Sequence, residues 1–156
     1  MKIIPVNNGD YSAKVSDEDF DKLSKFKWYG AGSKKKYACR QFQKNRMKHY
    51  VYMHREVMDA PEDMVVDHIN GDPLDNRREN LRICTHAENS FNTKKPSHNT
   101  SGYKGVHFYK NRNKYTARIA FRGKDYNLGY FETAKEAHAA YCAASKVYHG
   151  EYSRTN

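Results

Sequence analysis

The sequence is poor in cysteine, in long apolar runs and in acidic residues. Its 156 residues hold three cysteines, Cys39, Cys84 and Cys142, and this odd, dispersed set without a C-x-x-C pair indicates neither a disulfide framework nor a cysteine zinc site. No apolar run approaches the length of a membrane span, and no signal-peptide pattern opens the chain. We therefore expect a soluble intracellular protein with one ordinary domain or two small ones.

The shortage of acidic residues leaves a basic chain. The sequence has 28 Lys and Arg against 18 Asp and Glu, which gives a formal net charge of +10. The excess is densest after residue 95, where ten basic residues face four acidic ones. Such a balance favours a polyanionic partner, most commonly nucleic acid, although a merely solvated basic surface is the alternative.

The N-terminal part predicts several short elements. Residues 2–15 alternate around the Asn8-Gly9 turn and indicate a hairpin, and a helix is expected to begin at 16–19. Two strands are expected at 37–42 and 49–53. The segment 64–92 then predicts a strand, turn chemistry over 70–76, a second strand at 81–85 and a helix opened by the capping box of Thr85 and Glu88.

The C-terminal part has a cleaner pattern. Residues 94–101 are rich in Pro, Ser and Asn and predict a linker. Apolar alternation at 106–108, 115–121 and 126–130 predicts three antiparallel strands. A capping box at Thr133 and Glu136 starts a helix that ends near Gly150. The fold class is therefore α+β, with this three-stranded sheet packed on one helix.

One stretch, VDHINGDPLDNRRENLRICTHAEN at 66–89, carries residues suited to chemistry rather than to a core. The carboxylate of Asp67 and the amide oxygen of Asn89 are ligands that a hard cation such as Mg²⁺ prefers. His68 is a candidate general base, and Asn80 could accept its Nδ1 proton and leave Nε2 free. Because neighbouring strand residues point to opposite faces, Asp67 and His68 can share a site only at a strand end.

This stretch, together with MHREVM at 53–58 and NTSGYKGV at 99–106, resembles HNH homing endonucleases of phages and bacterial mobile elements. The resemblance implies a ββα-metal fold in which Asp67 and Asn89 bind one divalent metal, Mg²⁺ or alternatively Mn²⁺. It implies that His68 activates water, that Asn80 holds His68, and that the products carry 5′-phosphate and 3′-hydroxyl ends. His54 and Arg55 would lie near the site, as structural or phosphate contacts.

The segments YKGV, KYTARI, NLGYF and AKEAHAAY between residues 103 and 141 resemble the plant ethylene-response-factor (Apetala) DNA-binding domain. In that family the sheet enters the major groove, and most of the base-reading positions are replaced here. The implied DNA contacts are Lys104, His107, Tyr109, Arg118, Arg122 and Asn127, with Lys110, Lys114 and Lys124 on phosphates. Strand parity assigns the helix-facing side of the sheet to Val106, Phe108, Ala117, Ile119, Phe121, Tyr126, Leu128 and Tyr130.

The sequence thus predicts an HNH nuclease domain at 1–93 with a ββα core at 64–93, a linker at 94–101 and a DNA-binding domain at 102–156. The predicted function is site-selective cleavage of double-stranded DNA in a bacterial or phage-infected cytoplasm. Residues 1–50 would pack on the nuclease core and add backbone contacts through 34–36 and 44–48. Neither a membrane nor an obligate protein partner is indicated, and monomer and dimer both remain open. The alternatives are a DNA-binding regulator with an inactive nuclease motif and an RNA-binding protein.

Overall fold

The computed structural model describes residues 1–33 and 36–155. The chain divides into two compact units, Met1–His86 and Ala87–Asn156, each with its own hydrophobic cluster. Lys34 and Lys35 of the predicted basic run lie outside the described residues. Within the described ranges no helix is long and apolar enough to span a bilayer.

The first unit is a mixed α+β arrangement of small sheets and short helices. In chain order it contains β1 (Lys2–Val6), β2 (Tyr11–Val15), α1 (Asp17–Leu23), β3 (Tyr29–Ala31), β4 (Tyr37–Lys44), β5 (Met47–Tyr52), α2 (Met53–Met58), β6 (Val65–His68), β7 (Asp75–Asn76) and β8 (Leu81–Cys84). Helix α3 (His86–Phe91) follows and crosses into the second unit.

The core of the first unit forms around the N-terminal hairpin. Strands β1 and β2 pair antiparallel, which confirms the hairpin predicted from Asn8-Gly9. The residues that point inward are small or β-branched, and they pack with the single tryptophan, Trp28, and with Met53 of α2. The indole Nε1 of Trp28 donates to the carbonyl of Leu23, which satisfies its buried polar atom.

Strand β7 was not predicted. The sequence places turn chemistry at Asp75-Asn76, but these residues pair in parallel with Lys14 and Val15 of β2 and are almost fully buried. The Lys14 amide also donates to the Leu74 carbonyl at 2.8 Å. This pairing joins positions that are distant in the sequence, so local turn propensity is overridden by tertiary contacts.

Strands β6 and β8 pair antiparallel, with Asp67 opposite Arg82 and His68 opposite Leu81. The strand β6 ends at His68, and the next residues form a turn in which the Gly71 amide donates to the His68 carbonyl at 2.8 Å. The predicted strand, loop and second strand are therefore present, and His68 lies at the strand end.

The second unit is a three-stranded antiparallel sheet of β9 (Val106–Tyr109), β10 (Lys114–Phe121) and β11 (Lys124–Phe131) with α4 (Ala134–His149) packed against it. The N-terminus of α4 has the capping box predicted from Thr133 and Glu136. Its small, buried Ala137 and its Tyr141 pack against the sheet residues Val106, Ala117 and Ile119.

A bulge in this sheet corrects one predicted side-chain direction. The register between β10 and β11 shifts between Ala117 and Arg118, so that Tyr130 lies opposite Thr116 rather than opposite a core residue. The Tyr130 ring contacts Tyr109 at 5.5 Å, on the face away from α4. The predicted helix-facing position of Tyr130 is therefore wrong, because an extra residue in one strand reverses its alternation beyond that point.

The division between the units differs from the predicted end of the first domain at residue 93. The Phe91 ring stacks on His149 of α4 with centroids 3.8 Å apart. The ammonium of Lys104 donates to the carbonyls of Phe91 and Thr93. These contacts associate the end of α3 with the second unit, and a composition-based linker prediction has no access to them.

Candidate functional site

The candidate site forms around His68, which is buried at the end of β6. Its ring lies 5.1 Å from the ring of His54 in an edge-on arrangement and 6.0 Å from Tyr37 of β4. Tyr52 of β5 stacks on His54 with centroids 5.5 Å apart. We call Tyr37, Tyr52, His54 and His68 the aromatic cluster. His54 therefore lies beside His68. Its part in the site stays a prediction.

One described hydrogen bond of the His68 ring is to the side-chain oxygen of Asn76. The ring Nε2 lies 3.3 Å from Asn76 Oδ1, and Asn76 is completely buried on β7. Sequence reasoning missed Asn76 because the D-N-R composition resembles an ordinary turn. A His and an Asn separated by eight positions match no sequence motif. Only the pairing of β7 with β2 brings Asn76 to the His68 ring.

Burial keeps both histidines of the cluster neutral near pH 7. It lowers the pKa of His68, against the raising effects of the Asn76 hydrogen bond and of the nearby carboxylates of Asp67, Asp72 and Asp75. Burial, with contributions from His68 and Arg55, lowers the pKa of His54 to about 3. A neutral imidazole has a lone pair, which a general base requires.

Asp67 occupies a different environment from its neighbour His68. Its carboxylate is buried, and its Oδ2 accepts hydrogen bonds from Arg82 Nε at 2.9 Å and Arg82 Nη2 at 2.7 Å. The two residues are opposite each other in the β6–β8 pair. The sequence alone did not indicate a role for Arg82. Its position opposite Asp67 in the β6–β8 pair predicts a cross-strand ion pair.

Asn80 holds the loop after His68. Its Oδ1 accepts from the Asn70 amide at 3.1 Å, and its Nδ2 donates to the Asp75 carbonyl at 2.8 Å and to Asn70 Oδ1 at 3.1 Å. The backbone amide of Ile69 donates to the Asn80 carbonyl at 2.9 Å. The predicted direct contact of Asn80 with the His68 ring is not among the described hydrogen bonds, and the contacts described for Asn80 are with the loop that follows His68.

Arg55 has a structural position. Its guanidinium donates to the carbonyls of Met64, Ala60 and Pro61 at 2.7, 3.0 and 2.6 Å. These bonds fix the segment between α2 and β6, from which β6 runs to His68. Of the two roles left open for Arg55, structural or phosphate contact, the described contacts favour the structural one.

Asn89, the second predicted metal ligand, lies in α3 and is partly buried. Its carbonyl accepts from the Asn92 amide at 3.2 Å. It belongs to the second unit, whereas Asp67, His68 and Asn80 belong to the first. Within the described residues no group of three or more His, Cys, Asp and Glu side chains could hold a metal.

The face of the C-terminal sheet away from α4 contains most of the predicted DNA contacts. His107, Arg118, Arg122 and Asn127 are exposed, and Tyr109 is partly exposed beside Tyr130. Arg118 and Asn127 lie opposite each other at the bulge. The Asn127 Oδ1 accepts from Thr116 Oγ1 at 3.1 Å and from the Gly129 amide at 3.0 Å, so this side chain also stabilises the bulge.

Lys104 is the exception among the predicted DNA contacts. Its ammonium donates to the carbonyls of Phe91, Thr93 and Arg154 at 2.8, 2.7 and 2.9 Å. Burial lowers its pKa to about 8. Its expected DNA contact stays a prediction, and the described contacts give Lys104 a structural position. The donors of Lys104 are used to tie the end of the chain and the segment after α3 to the second unit.

Comparison with known proteins agrees with the identity suggested by the site residues. The family model described as HNH endonuclease matches residues 46–91. Protein 3.8 of Escherichia phage T7 is 35% identical over 89 residues, which cover 57% of this chain and 74% of that protein. The uncharacterized HNH endonuclease L560 of Acanthamoeba polyphaga mimivirus is 29% identical over 146 residues, covering 92% and 74%. No solved structure matches significantly. The chain therefore belongs to the HNH endonuclease family.

Proposed function

We propose that this protein is a metal-dependent, site-selective DNA endonuclease of the homing type, with His68 as its general base. The observation that carries the proposal is His68, which is buried at a strand end, directly follows Asp67 in the sequence and has a ring hydrogen bond to Asn76 Oδ1. Membership of the HNH endonuclease family implies DNA as the substrate.

The hydrogen bond to Asn76 supports a proposal for the base atom. Because an amide oxygen only accepts, contact with Asn76 Oδ1 favours the tautomer in which His68 carries its proton on Nε2. The lone pair then lies on Nδ1, and this nitrogen would take the proton from the attacking water. The sequence alone had predicted Nε2 as the base. That prediction assumed that Asn80, rather than Asn76, is the hydrogen-bond partner of the His68 ring.

The proposed cofactor is a hard divalent cation, with Mg²⁺ as the expected ion and Mn²⁺ as an alternative, because carboxylate and amide oxygens are its preferred ligands. A buried carboxylate needs a positive partner, and Asp67 has one in Arg82. Asp67 and Asn89 would hold the metal through carboxylate and amide oxygens. When bound, the ion would stabilise negative charge on the scissile phosphate and the leaving oxygen. A metal bound to Asp67 would compete with the Arg82 guanidinium for the same carboxylate. We therefore expect metal affinity to increase in an Arg82→Met variant.

The second unit is proposed to bind duplex DNA through its sheet, in the manner of the ethylene-response-factor domain it resembles. Support comes from Arg118, an exposed side chain with the bidentate geometry that suits guanine. Replacing Arg118 by Ala should weaken specific binding by about 1–3 kcal/mol. Lys146→Ala, which removes one exposed charge from α4, is the matched control and should leave specific binding unchanged.

The nuclease proposal is tested by cleavage of supercoiled plasmid with Mg²⁺, with EDTA, and with His68→Ala. We expect nicking or linearisation in Mg²⁺ only, and its loss in His68→Ala with DNA binding retained. His98→Ala, at an exposed histidine of the second unit that is assigned no role, is the control and should cut normally. Tight duplex binding without cleavage under any of these conditions would favour a DNA-binding regulator, and preference for single-stranded RNA would favour an RNA-binding protein.

A further inference from the structure

The β4–β5 hairpin has two faces that can be assigned from its register. Directly opposite residues of an antiparallel pair project to the same side. One side, here called the site face, carries the pairs Cys39 with Tyr52, Gln41 with Tyr50, and Gln43 with Lys48. The other side, here called the back face, carries the pairs Arg40 with Val51, Phe42 with His49, and Lys44 with Met47.

The site face begins at the candidate active site. Alternation along β4 puts Tyr37 on the same side as Cys39 and Gln41. Tyr37 contacts His68 at 6.0 Å, and Tyr52, paired with Cys39, stacks on His54 at 5.5 Å. The base of the site face therefore belongs to the aromatic cluster, and the same surface continues from His68 towards the hairpin tip.

The back face is occupied by the protein itself at its base. Ala38 belongs to the hydrophobic core, and Arg40 is paired with Glu56 at 3.0 Å and lies over the Phe26 ring at 4.2 Å. Further along, Phe42 stacks on His49 with centroids 5.2 Å apart. These contacts hold the hairpin from behind and leave Gln41, Gln43, Lys48 and Tyr50 exposed on the site face.

The hairpin is also strongly basic. No Asp or Glu occurs between Asp21 and Glu56, and the hairpin carries four cations, Arg40, Lys44, Arg46 and Lys48. The large side chain of Tyr50 is 62% exposed on the site face. A surface with amides, a lysine and an exposed aromatic ring suits a polyanion with polar base edges better than a protein partner.

We propose that the site face of the β4–β5 hairpin binds the duplex DNA that flanks the cleaved bond, as a two-stranded ribbon in a groove. This inference rests on the proposed nuclease function, because it extends from the phosphate at His68. A two-stranded ribbon fits the major groove, and a Gln amide can pair with an adenine edge. From Tyr37 to Lys44 the strand spans roughly 23 Å, which corresponds to about seven base pairs.

The register supplies a matched pair of variants for the test. Gln43→Ala/Lys48→Ala removes one cross-strand pair from the site face, and Lys44→Ala/Met47→Ala removes the adjacent pair from the back face. Both changes remove one lysine and one neutral side chain, and all four residues are exposed. Lys48→Glu and Lys44→Glu form a second pair in which each charge is reversed.

Binding of the full chain to a short fluorescein-labelled duplex of mixed sequence is measured in EDTA, and plasmid nicking is measured in Mg²⁺. We expect Gln43→Ala/Lys48→Ala to weaken binding about fivefold or more. Lys44→Ala/Met47→Ala, which removes one expected backbone contact but no side chain of the site face, should weaken it clearly less. Lys48→Glu should weaken binding more than Lys44→Glu. Equal effects within either pair, or no effect in all four variants, would overturn the assignment of the site face.

The two proposals fail in different ways. If the wild-type chain binds DNA but does not nick the plasmid, the nuclease proposal fails, and a selective loss of binding in the site-face variants still supports this inference. If the wild-type chain nicks and the matched variants behave alike, the nuclease proposal stands and the site-face inference is wrong.

Discussion

The glycine of the Y-K-G-V segment tests the packing of the second unit quantitatively. Gly105 has a φ of 72°, where an L side chain is strained, and a Cβ built on it would lie 2.1 Å from Cδ2 and 2.3 Å from Cε2 of Tyr141. Ordinary carbon contacts are about 3.5–4.0 Å, so the ring or the strand would have to move. Tyr141 belongs to α4 and is buried against the sheet, so its ring has little room to move.

The expected cost of Gly105→Ala is the sum of two effects. The left-handed backbone costs about 1–2 kcal/mol with a side chain, and overpacking a filled core costs about 1–3 kcal/mol. We therefore expect a loss of about 2–5 kcal/mol, a large part of the stability of a small domain. Gly123 is the matched control, because its φ is 73° and nothing lies within 4 Å of its built Cβ. Gly123→Ala should lose only the backbone part.

The measurement is urea unfolding followed by far-ultraviolet circular dichroism, which is sensitive to the sixteen-residue helix α4. The fluorescence of Trp28, the single tryptophan, reports on the first unit in the same samples. Equal losses of unfolding free energy for the two glycine variants would refute the argument, because the contact with Tyr141 would then contribute nothing.

Three further predictions concern the site and the second unit. Lys104→Met should destabilise the second unit by about 2 kcal/mol or more, measured by urea unfolding, because three carbonyls lose an ammonium donor. Burial lowers the pKa of His149 below its usual 6.5. The contribution of the neutral imidazole to the free energy of unfolding is therefore complete above pH 6.5, and it is lost as the pH falls through the lowered pKa. Urea unfolding measured at a series of pH values across this range should show the loss of stability. The His149→Gln variant should not show this pH dependence. Asn76→Ala should slow plasmid nicking about tenfold by misplacing His68, and Asn76→Asp, which keeps an acceptor, should retain more activity.

Local sequence patterns predicted the elements whose determinants are close together in the chain. The Asn8-Gly9 turn, the alternation of β10 and the capping box at Thr133 each depend on a few neighbouring residues, and each was found where expected. The C-terminal sheet parity failed only beyond the bulge at Arg118, since an extra residue leaves no clear mark on an alternating pattern.

The contacts around the candidate site were harder to predict because they join distant positions. Asn76 reaches His68 only through the pairing of β7 with β2, and the partner of Asp67 follows from the register of β6 and β8. The sequence identified Asp67, His68, Asn80 and Asn89 by residue type and spacing. Their roles as metal ligands and base stay predictions, and Asn80 now has described partners in the loop.

The parallel pairing of β7 with β2 also limits where this family's motif can be cut out of the chain. The matched family region spans residues 46–91, yet the residue that contacts His68 is aligned by Val15, well before that region begins. Ser16 and Asp19 add to this link, since Ser16 accepts from the Arg78 amide and Asp19 pairs with the Arg78 guanidinium. A fragment that starts at residue 46 would keep every motif residue and lose the strand that orders Asn76. We therefore expect the smallest unit that folds around His68 to be longer than its recognisable motif. Its folding depends on contacts between positions some sixty residues apart in the chain.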